Sequence, residues 1–481
     1  MRLLVVQRII GLFLLLYGAT LVLPIAVAFL AQDGELEHFL DSMFLMLAAG
    51  GILWFPARHA SGQLRTREGF AIVTAFWVIL GLASSAPLVV GAHLDFTDAA
   101  FEAVSAFTTT GATVIVGLDD LPPSILFYRQ ILQWFGGIGV IVLALAILPM
   151  LGVGGMQLYR AEATGPIKHE KLTPRIRETA KAVSRIYVAL TVACGSAYWL
   201  AGMSPFDAIG HAFSTVSTGG FSTHDASIAY FESATIELIA VIFMLLGAIN
   251  FAAHFTVVRE HSLRRYWLDV EVRTFLLVVG VLVVVIAAVL MLEGAYATIW
   301  ESLRYSLFQV GSVITSTGFT TTDFSVWPLF VPVLLIFSSF VGGCAGSTAG
   351  GMKIVRFLIL VKQGRRNVFQ LIHPAAVRPI KLGERVLSTD VADAVWGFFA
   401  LYVVVFSVMM LAVMATGIDH VTAFSAVATC INNLGPGLGD VASNFTQVNS
   451  TAMWLLTASM LLGRLEIFTL LVLLSPAFWR R

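Results

Sequence analysis

Apolar and polar positions alternate along this chain on two length scales. Runs of about 20 apolar residues, enough to span ~30 Å of hydrocarbon, occupy 3–30, 40–57, 70–91, 125–151, 186–202, 234–258, 274–292, 391–416 and 451–475. Shorter amphipathic pieces fall between them at 95–107, 205–216, 298–314 and 419–431. At 1.5 Å per residue such pieces reach only ~18–24 Å, so they enter a bilayer without crossing it. The segment 327–361 is too long for one straight span. The pattern predicts an all-α polytopic membrane protein: a helix pair (1–58), then four copies of span, short helix, loop and span around one pore. The copies cover 59–157, 158–260, 261–365, where the second span is interrupted, and 366–481.

Each short piece ends in a loop with small hydroxyl or amide residues before a glycine. The loops are Thr108-Thr109-Thr110-Gly111-Ala112-Thr113, Val216-Ser217-Thr218-Gly219-Gly220-Phe221, Thr315-Ser316-Thr317-Gly318-Phe319-Thr320 and Asn432-Asn433-Leu434-Gly435-Pro436-Gly437. Taking Gly111, Gly219, Gly318 and Gly435 as the central glycines gives a loose period of about one hundred residues. Phe101 to Gly111 also aligns with Phe308 to Gly318. Internal repetition in a transport protein places the binding site on the repeat axis.

Irregular backbone survives at membrane depth only where it lines water or is buried in protein. A short helix entering from outside points its partly negative C-terminus at the bilayer centre, where it attracts a cation. The loop then climbs back with carbonyls free to replace a hydration shell. Glycine supplies the left-handed backbone this needs, and Thr and Ser hydroxyls add oxygen ligands or pin the loop. The four loops therefore read as quarters of one carbonyl ring that dehydrates a cation.

Composition agrees: 58% of the 481 residues are hydrophobic and 12% charged, far too apolar for a soluble domain. The first run is too long for a signal-peptide core and shows no Ala-x-Ala site, so it is expected to remain as a helix. Of the 29 Lys and Arg, 26 fall in the N-terminus, the C-terminus and the loops at 58–67, 160–185, 259–273 and 353–385. That side, with both termini, is predicted to be cytoplasmic. Acids including Asp95, Asp98, Asp119, Asp120, Asp207 and Asp225 collect opposite, a rim that concentrates cations. Three cysteines at membrane depth support neither a disulfide framework nor a zinc site. The chain carries no phosphate loop, and no paired acids or His clusters in the spans point to an enzyme.

Gly342-Gly343-Cys344-Ala345-Gly346-Ser347-Thr348-Ala349-Gly350-Gly351 contains five glycines in ten residues. At ~1 kcal/mol each against alanine, they disfavour helix by roughly 5 kcal/mol. The segment reads as an unwound stretch beneath the ring; close helix packing through small residues is the alternative. Arg464 lies mid-span, where a cation costs ~2.5–3.5 kcal/mol. Glu466, two residues on, faces another side of the helix. Arg464 thus either places a positive charge beside the ion path or pairs with another helix. Lys353 and Arg356 read as marks of the cytoplasmic boundary, and His211 and His254 as packing or local hydrogen-bonding residues.

These loops, the Gly-rich segment, the extra N-terminal pair and the stretch Arg160-Ala161-Glu162 … Lys171-Leu172-Thr173-Pro174-Arg175 resemble the Trk/Ktr/HKT potassium transporter superfamily, and within it the TrkH type. The resemblance covers essentially the whole chain. It implies four potassium-channel-like repeats and an ion-coordinating ring from Thr109, Thr110, Gly111, Ser217, Thr218, Gly219, Ser316, Thr317, Gly318, Asn433, Leu434 and Gly435. It also implies a gate formed by Gly342, Gly343, Gly346, Ser347, Thr348, Gly350 and Gly351, with Arg464 beside it. Only the first glycine of a Thr-Val-Gly-Tyr-Gly type loop is common to the repeats, and the fourth replaces Thr with Asn and Leu. K⁺ is therefore expected to be favoured over Na⁺ less sharply than in a dedicated channel. The function implied is gated K⁺ uptake across the bacterial inner membrane, with K⁺/H⁺ or K⁺/Na⁺ symport as the alternative. The implied partners are a TrkA-like cytosolic nucleotide-binding subunit, a second copy in a homodimer, and lipid. No organic cofactor and no nucleic acid are expected.

Overall fold

The computed structural model describes residues 3–60, 66–142, 172–376, 378–383 and 385–480. The end of the first return span, Arg65 and the motif from Arg160 to Lys171 lie outside the described residues. Helix dominates, with one short hairpin pairing Lys381–Leu382 and Arg385–Val386. Among the described residues six helices are long and apolar enough to cross a membrane: Leu3–Ala31, with a break in its helical hydrogen bonding at Leu21, Leu36–Ala57, Arg67–Val90, Ala180–Leu200, Val270–Leu292 and Thr389–Met414.

The last four of these each precede a short pore helix: Phe96–Phe107, Pro205–Val216, Ile299–Ile314 and His420–Asn432. Each pore helix starts on a side-chain cap. Asp95 accepts from Thr97 N, Ser204 from Asp207 N, Thr298 from Glu301 N in a full capping box, and Asp419 from Val421 N and Thr422 N. Each cap is worth ~1 kcal/mol. It also satisfies donors that have no partner within the helix. The inner turns are buried all round; every residue from Ala99 to Phe107 is enclosed. A helix buried on every side needs other helices around it, and the spans supply them.

The N-terminal pair packs against the first repeat. Tyr17 and Tyr128 share a hydrogen bond of 2.5 Å, and Tyr128 donates to Ser84 O at 2.6 Å. Phe39, Trp77, Phe107 and Phe101 extend the same core toward the first pore helix.

The return limbs depart from expectation. Interruption was expected in the third repeat alone, yet three repeats break. Ala234–Gly247 and Phe251–Glu260 meet at a 97° bend. Val331–Val341 and Ile354–Ile372 are separated by the Gly-rich segment. Ser450–Arg464 and Phe468–Leu474 are separated by Glu466 and Ile467, both with positive φ. Hydropathy is blind to these breaks because the freed backbone groups find partners within the protein. Asn250 caps the restart at Ala252 N, and Phe251 N donates to Gly346 O of the third repeat. The first return helix, Pro123–Val142, is continuous over its described length.

Candidate functional site

Each pore helix ends in the same hydrogen-bonded turn. Thr109, Thr218, Ser316 and Asn433 adopt left-handed backbone, with φ of 57°, 53°, 54° and 53°. The amide after each reaches back to the helix: Thr110 N to Ser105 O, Gly219 N to Ser214 O, Thr317 N to Ser312 O, and Leu434 N to Thr429 O, all 2.8 Å. This is a Schellman turn, which usually places glycine at the left-handed position. Four non-glycine residues hold it here; Asn433 is suited to it, and for Thr109, Thr218 and Ser316 it costs ~1–2 kcal/mol each. One residue beyond the returning amide, Gly111, Gly220, Gly318 and Gly435 also have positive φ.

These equivalences correct the second loop. The sequence aligned Ser217, Thr218 and Gly219 with Thr109, Thr110 and Gly111. The structure matches Thr218, Gly219 and Gly220 to them, and Ser217 becomes the cap residue that corresponds to Thr108. Two consecutive glycines made the register ambiguous; the turn hydrogen bonds resolve it.

The loops close into a ring. A Cβ on Gly111 would overlap Gly219 O, one on Gly220 would overlap Thr317 O, one on Gly318 would overlap Leu434 O, and one on Gly435 would lie 2.9 Å from Thr110 O. Each loop's glycine thus abuts the next loop's carbonyl, in the order one, two, three, four and back to one. The carbonyls of Thr110, Gly219, Thr317 and Leu434 form one level around a common axis. Side chains bind neighbours as well: Asn433 Nδ2 donates to Thr110 Oγ1 at 2.9 Å and to Met460 O at 3.1 Å. Within repeats one and three the same hydroxyl brace recurs, Thr108 to Thr110 at 2.8 Å and Thr315 to Thr317 at 2.7 Å.

The returning limbs are pinned from behind. Glu102, His211 and Gln309 occupy equivalent places, three residues before the turn acceptors Ser105, Ser214 and Ser312. Glu102 accepts from Val114 N at 2.9 Å and from Thr113 Oγ1 at 3.0 Å. His211 meets Ser222 Oγ at 2.9 Å, and Gln309 donates to Thr322 O at 3.1 Å. His211 Nδ1 lies 2.8 Å from Asp207 O, a carbonyl that can only accept, so Nδ1 carries the proton and Nε2 accepts from Ser222. In repeat four Ala426 takes this place, and Ser425 exchanges bonds with Leu438 N and O instead. Arg129 binds Glu102 at 2.7 Å, with both side chains buried, and lies 4.1 Å from the Phe221 ring centroid. Glu102, Arg129 and Gln133 are not among the site residues expected from sequence; the available signal was polar residues inside an apolar run.

Beneath the ring lies the Gly-rich segment. Gly350 N donates to Ser316 Oγ at 2.5 Å. Thr348 Oγ1 donates to Gly247 O at 2.9 Å and reaches Val216 O, the end of pore helix two, at 3.2 Å. A Cβ on Gly350 would overlap Asn432 O at the end of pore helix four. The segment therefore touches the lower ends of three of the four loops. Gly342, Gly346 and Gly351 have positive φ; Cys344 N bonds Ala248 O, and Ser347 Oγ donates to Cys344 O within the turn. A Cβ on Gly343 would lie 2.9 Å from Ala248 O.

The three basic residues outside the groups counted above, Arg129, Arg304 and Arg464, all hold pore elements. Arg304 grips Glu237 through two nitrogens at 2.7 and 2.8 Å. Arg464 donates to Thr348 O at 3.0 Å, while its Nε and second terminal nitrogen are buried without a partner among the described residues. Glu466 pairs with Arg356 at 2.5 Å and not with Arg464. Lys353 donates to Ala349 O. Lys353 and Arg356 therefore anchor the segment, beyond the boundary role read from sequence. His254 bonds Tyr266 Oη and Leu246 O, a local role as expected.

Above the ring a cavity of about 360 Å³ opens outward. Gly111, Gly220, Gly318 and Gly435 line it together with Asp225 and Asp323. Asp225 clamps Gly117 N and Leu118 N, tying loop two to loop one. His224 Nδ1 bonds Asp119 at 2.5 Å, and this hydrogen bond holds the Asp119 carboxyl below its ordinary range.

A helical membrane protein is the result: four repeats of span, short helix and loop whose loops meet in one ring, an acid-lined cavity on one side of the ring and an unwound segment on the other. The chain belongs to the TrkH family, whose description is "Cation transport protein" and which matches residues 35–481. It is 55% identical over 477 residues to the Trk system potassium uptake protein TrkH of Vibrio parahaemolyticus, covering 98% of each chain. It is 54% identical over 477 residues to that of Escherichia coli K12, covering 99% of each. The crystal structure of the potassium transporter TrkH from Vibrio parahaemolyticus superposes with a TM-score of 0.93 at 52% identity, over 100% of both chains.

Proposed function

We propose that this chain is a potassium uptake subunit in which K⁺ sheds water into the carbonyl ring and passes inward when the Gly-rich segment moves aside. The closed succession of four loops, each glycine against the next loop's carbonyl, is the observation that carries this reading. The ring carbonyls of Thr110, Gly219, Thr317 and Leu434 are the central ligands, with Thr109, Gly111, Thr218, Gly220, Ser316, Gly318, Asn433 and Gly435 on either side; Ser217 caps the helix below. Backbone oxygens suit a dehydrated monovalent ion, and the pore-helix ends add negative potential. The acidic vestibule supplies cations to the ring. A membrane potential of 100 mV is worth ~2.3 kcal/mol per charge, which supports about fiftyfold accumulation without a chemical step.

The gate is the segment Gly342–Gly351, latched by Ser316 above and Arg464 beside it. A TrkA-like cytosolic nucleotide-binding partner docking on the basic cytoplasmic face would move it, and the working unit in the bacterial inner membrane is a homodimer with cytoplasmic termini. Purified protein in vesicles with opposed K⁺, Rb⁺, Na⁺ and Li⁺ gradients tests the reading. Voltage-driven K⁺ and Rb⁺ flux exceeding Na⁺ and Li⁺ flux is expected. Flux that requires a second ion at fixed voltage would replace the uniport with symport, and no flux of any of the four would overturn both.

A further inference from the structure

The second loop lacks a side chain where its counterparts have one. The residue that follows the left-handed turn is Thr110, Thr317 or Leu434 in the other repeats, and Gly219 in the second. Gly219 itself lies outside the positive-φ set, so its backbone does not require glycine. The space beside it is filled by Gln133 from the first return helix: a Cβ on Gly219 would collide with Gln133 Cδ and Oε1 and lie 2.9 Å from Cγ. The Gln133 amide then makes two bonds. Nε2 donates to Gly219 O at 2.7 Å, and Oε1 accepts from Phe221 N at 3.2 Å.

We infer that Gln133 is a specificity-determining residue of the ion path: it replaces the missing side chain of Gly219 and holds one of the four ring carbonyls by a direct hydrogen bond. Among the described residues no hydrogen bond reaches the carbonyls of Thr110, Thr317 or Leu434. Gly219 O is thus the one fixed ligand of the level. It shares its lone pairs between an amide donor and the ion, so it is both stiffer and a weaker cation ligand than its partners. Bridging Gly219 O and Phe221 N also fixes the backbone on both sides of Gly220, whose positive φ glycine adopts at least cost. A ring with one stiff quarter discriminates by size in that quarter and adapts in the other three.

This inference rests on the ring being the ion path, and a double-mutant cycle separates the two claims. K⁺ and Na⁺ fluxes are measured on the same vesicles, so their ratio does not depend on how much protein folds. If the wild-type protein passes neither ion, the transport reading fails and Gln133 is not at issue. If it passes K⁺ selectively, Gln133→Ala should lower the K⁺/Na⁺ ratio roughly three- to tenfold, the range of one net hydrogen bond. Gly219→Thr alone should abolish flux, because the new side chain collides with Gln133. Combining Gln133→Ala with Gly219→Thr supplies in the loop the side chain that repeats one and three carry, and should return the ratio to within about twofold of wild type; such coupling is expected only between contacting residues. An unchanged ratio in Gln133→Ala overturns the inference. So does a double variant that is no more selective than Gln133→Ala, or, where that single variant is inactive, a double variant that is inactive too.

Discussion

The hydroxyl of Ser316 accepts the amide of Gly350 at 2.5 Å, so the floor of the third pore loop and the unwound segment beneath it are joined by one hydrogen bond. The same serine holds left-handed backbone. In the proposed mechanism one residue thus both shapes the ring and latches the gate. Ser316→Ala keeps the turn but removes the acceptor, and an unpaired amide favours a moved segment by ~1–3 kcal/mol if water reaches it there. Basal K⁺ flux without any partner protein should rise severalfold; tracer uptake into vesicles measures it.

Arg464 supplies a second latch through Thr348 O, and two of its nitrogens have no protein partner among the described residues. A charge-assisted bond of this kind is worth ~1.5–3 kcal/mol. Arg464→Ala should raise basal flux by at least tenfold and weaken its response to a partner. Unchanged flux would remove Arg464 from the gate.

Gly220 has φ 80°, and a Cβ there would overlap Thr317 O. Gly220→Ala should therefore eliminate K⁺-selective flux in the vesicle assay. Gly219→Ser in the same assay should also fail, but for a different reason, its contact with Gln133. Only the Gly219 variant should be rescued by shortening Gln133.

The Glu102–Arg129 pair is buried and also holds Thr113 and Val114. Removing one partner strands the other charge in the interior, at ~3–5 kcal/mol. Arg129→Ala should markedly lower the thermal midpoint in detergent. Removing both charges in Glu102→Gln with Arg129→Gln should cost less than Arg129→Ala alone. Equal losses in the two proteins would mean that the pair contributes little.

Outside the membrane, Asp119 is held below its ordinary value of 3.8, first by the hydrogen bond from His224. A depressed carboxyl contributes stability that is fully present above its unfolded value and is lost as pH falls through the folded one. This contribution to the tie between loops one and two should therefore be lost as pH falls below about 4. Asp119→Asn should remove that acid-side dependence. Hydrogen exchange across 117–120 and 222–226 as a function of pH reads it.

Much of this molecule is written locally. Runs long enough to span, short pieces that cannot, cap residues such as Asp95 and Thr298, and a small-residue loop before a glycine are all properties of neighbouring positions. Helix periodicity, capping and glycine backbone freedom translate them directly into structure. The asymmetric spread of the positive charges is likewise a property of the sequence alone. What the tertiary structure alone decided are contacts between distant residues. It set the register of the second loop, because Gly219 and Gly220 are interchangeable letters until the turn to Ser214 is formed. It broke the second and fourth return spans, because their freed backbone groups are satisfied within the folded protein. It also brought Gln133 to Gly219 across 86 positions of chain. No local pattern encodes how far a side chain reaches into another repeat, and the ring's asymmetry arises there.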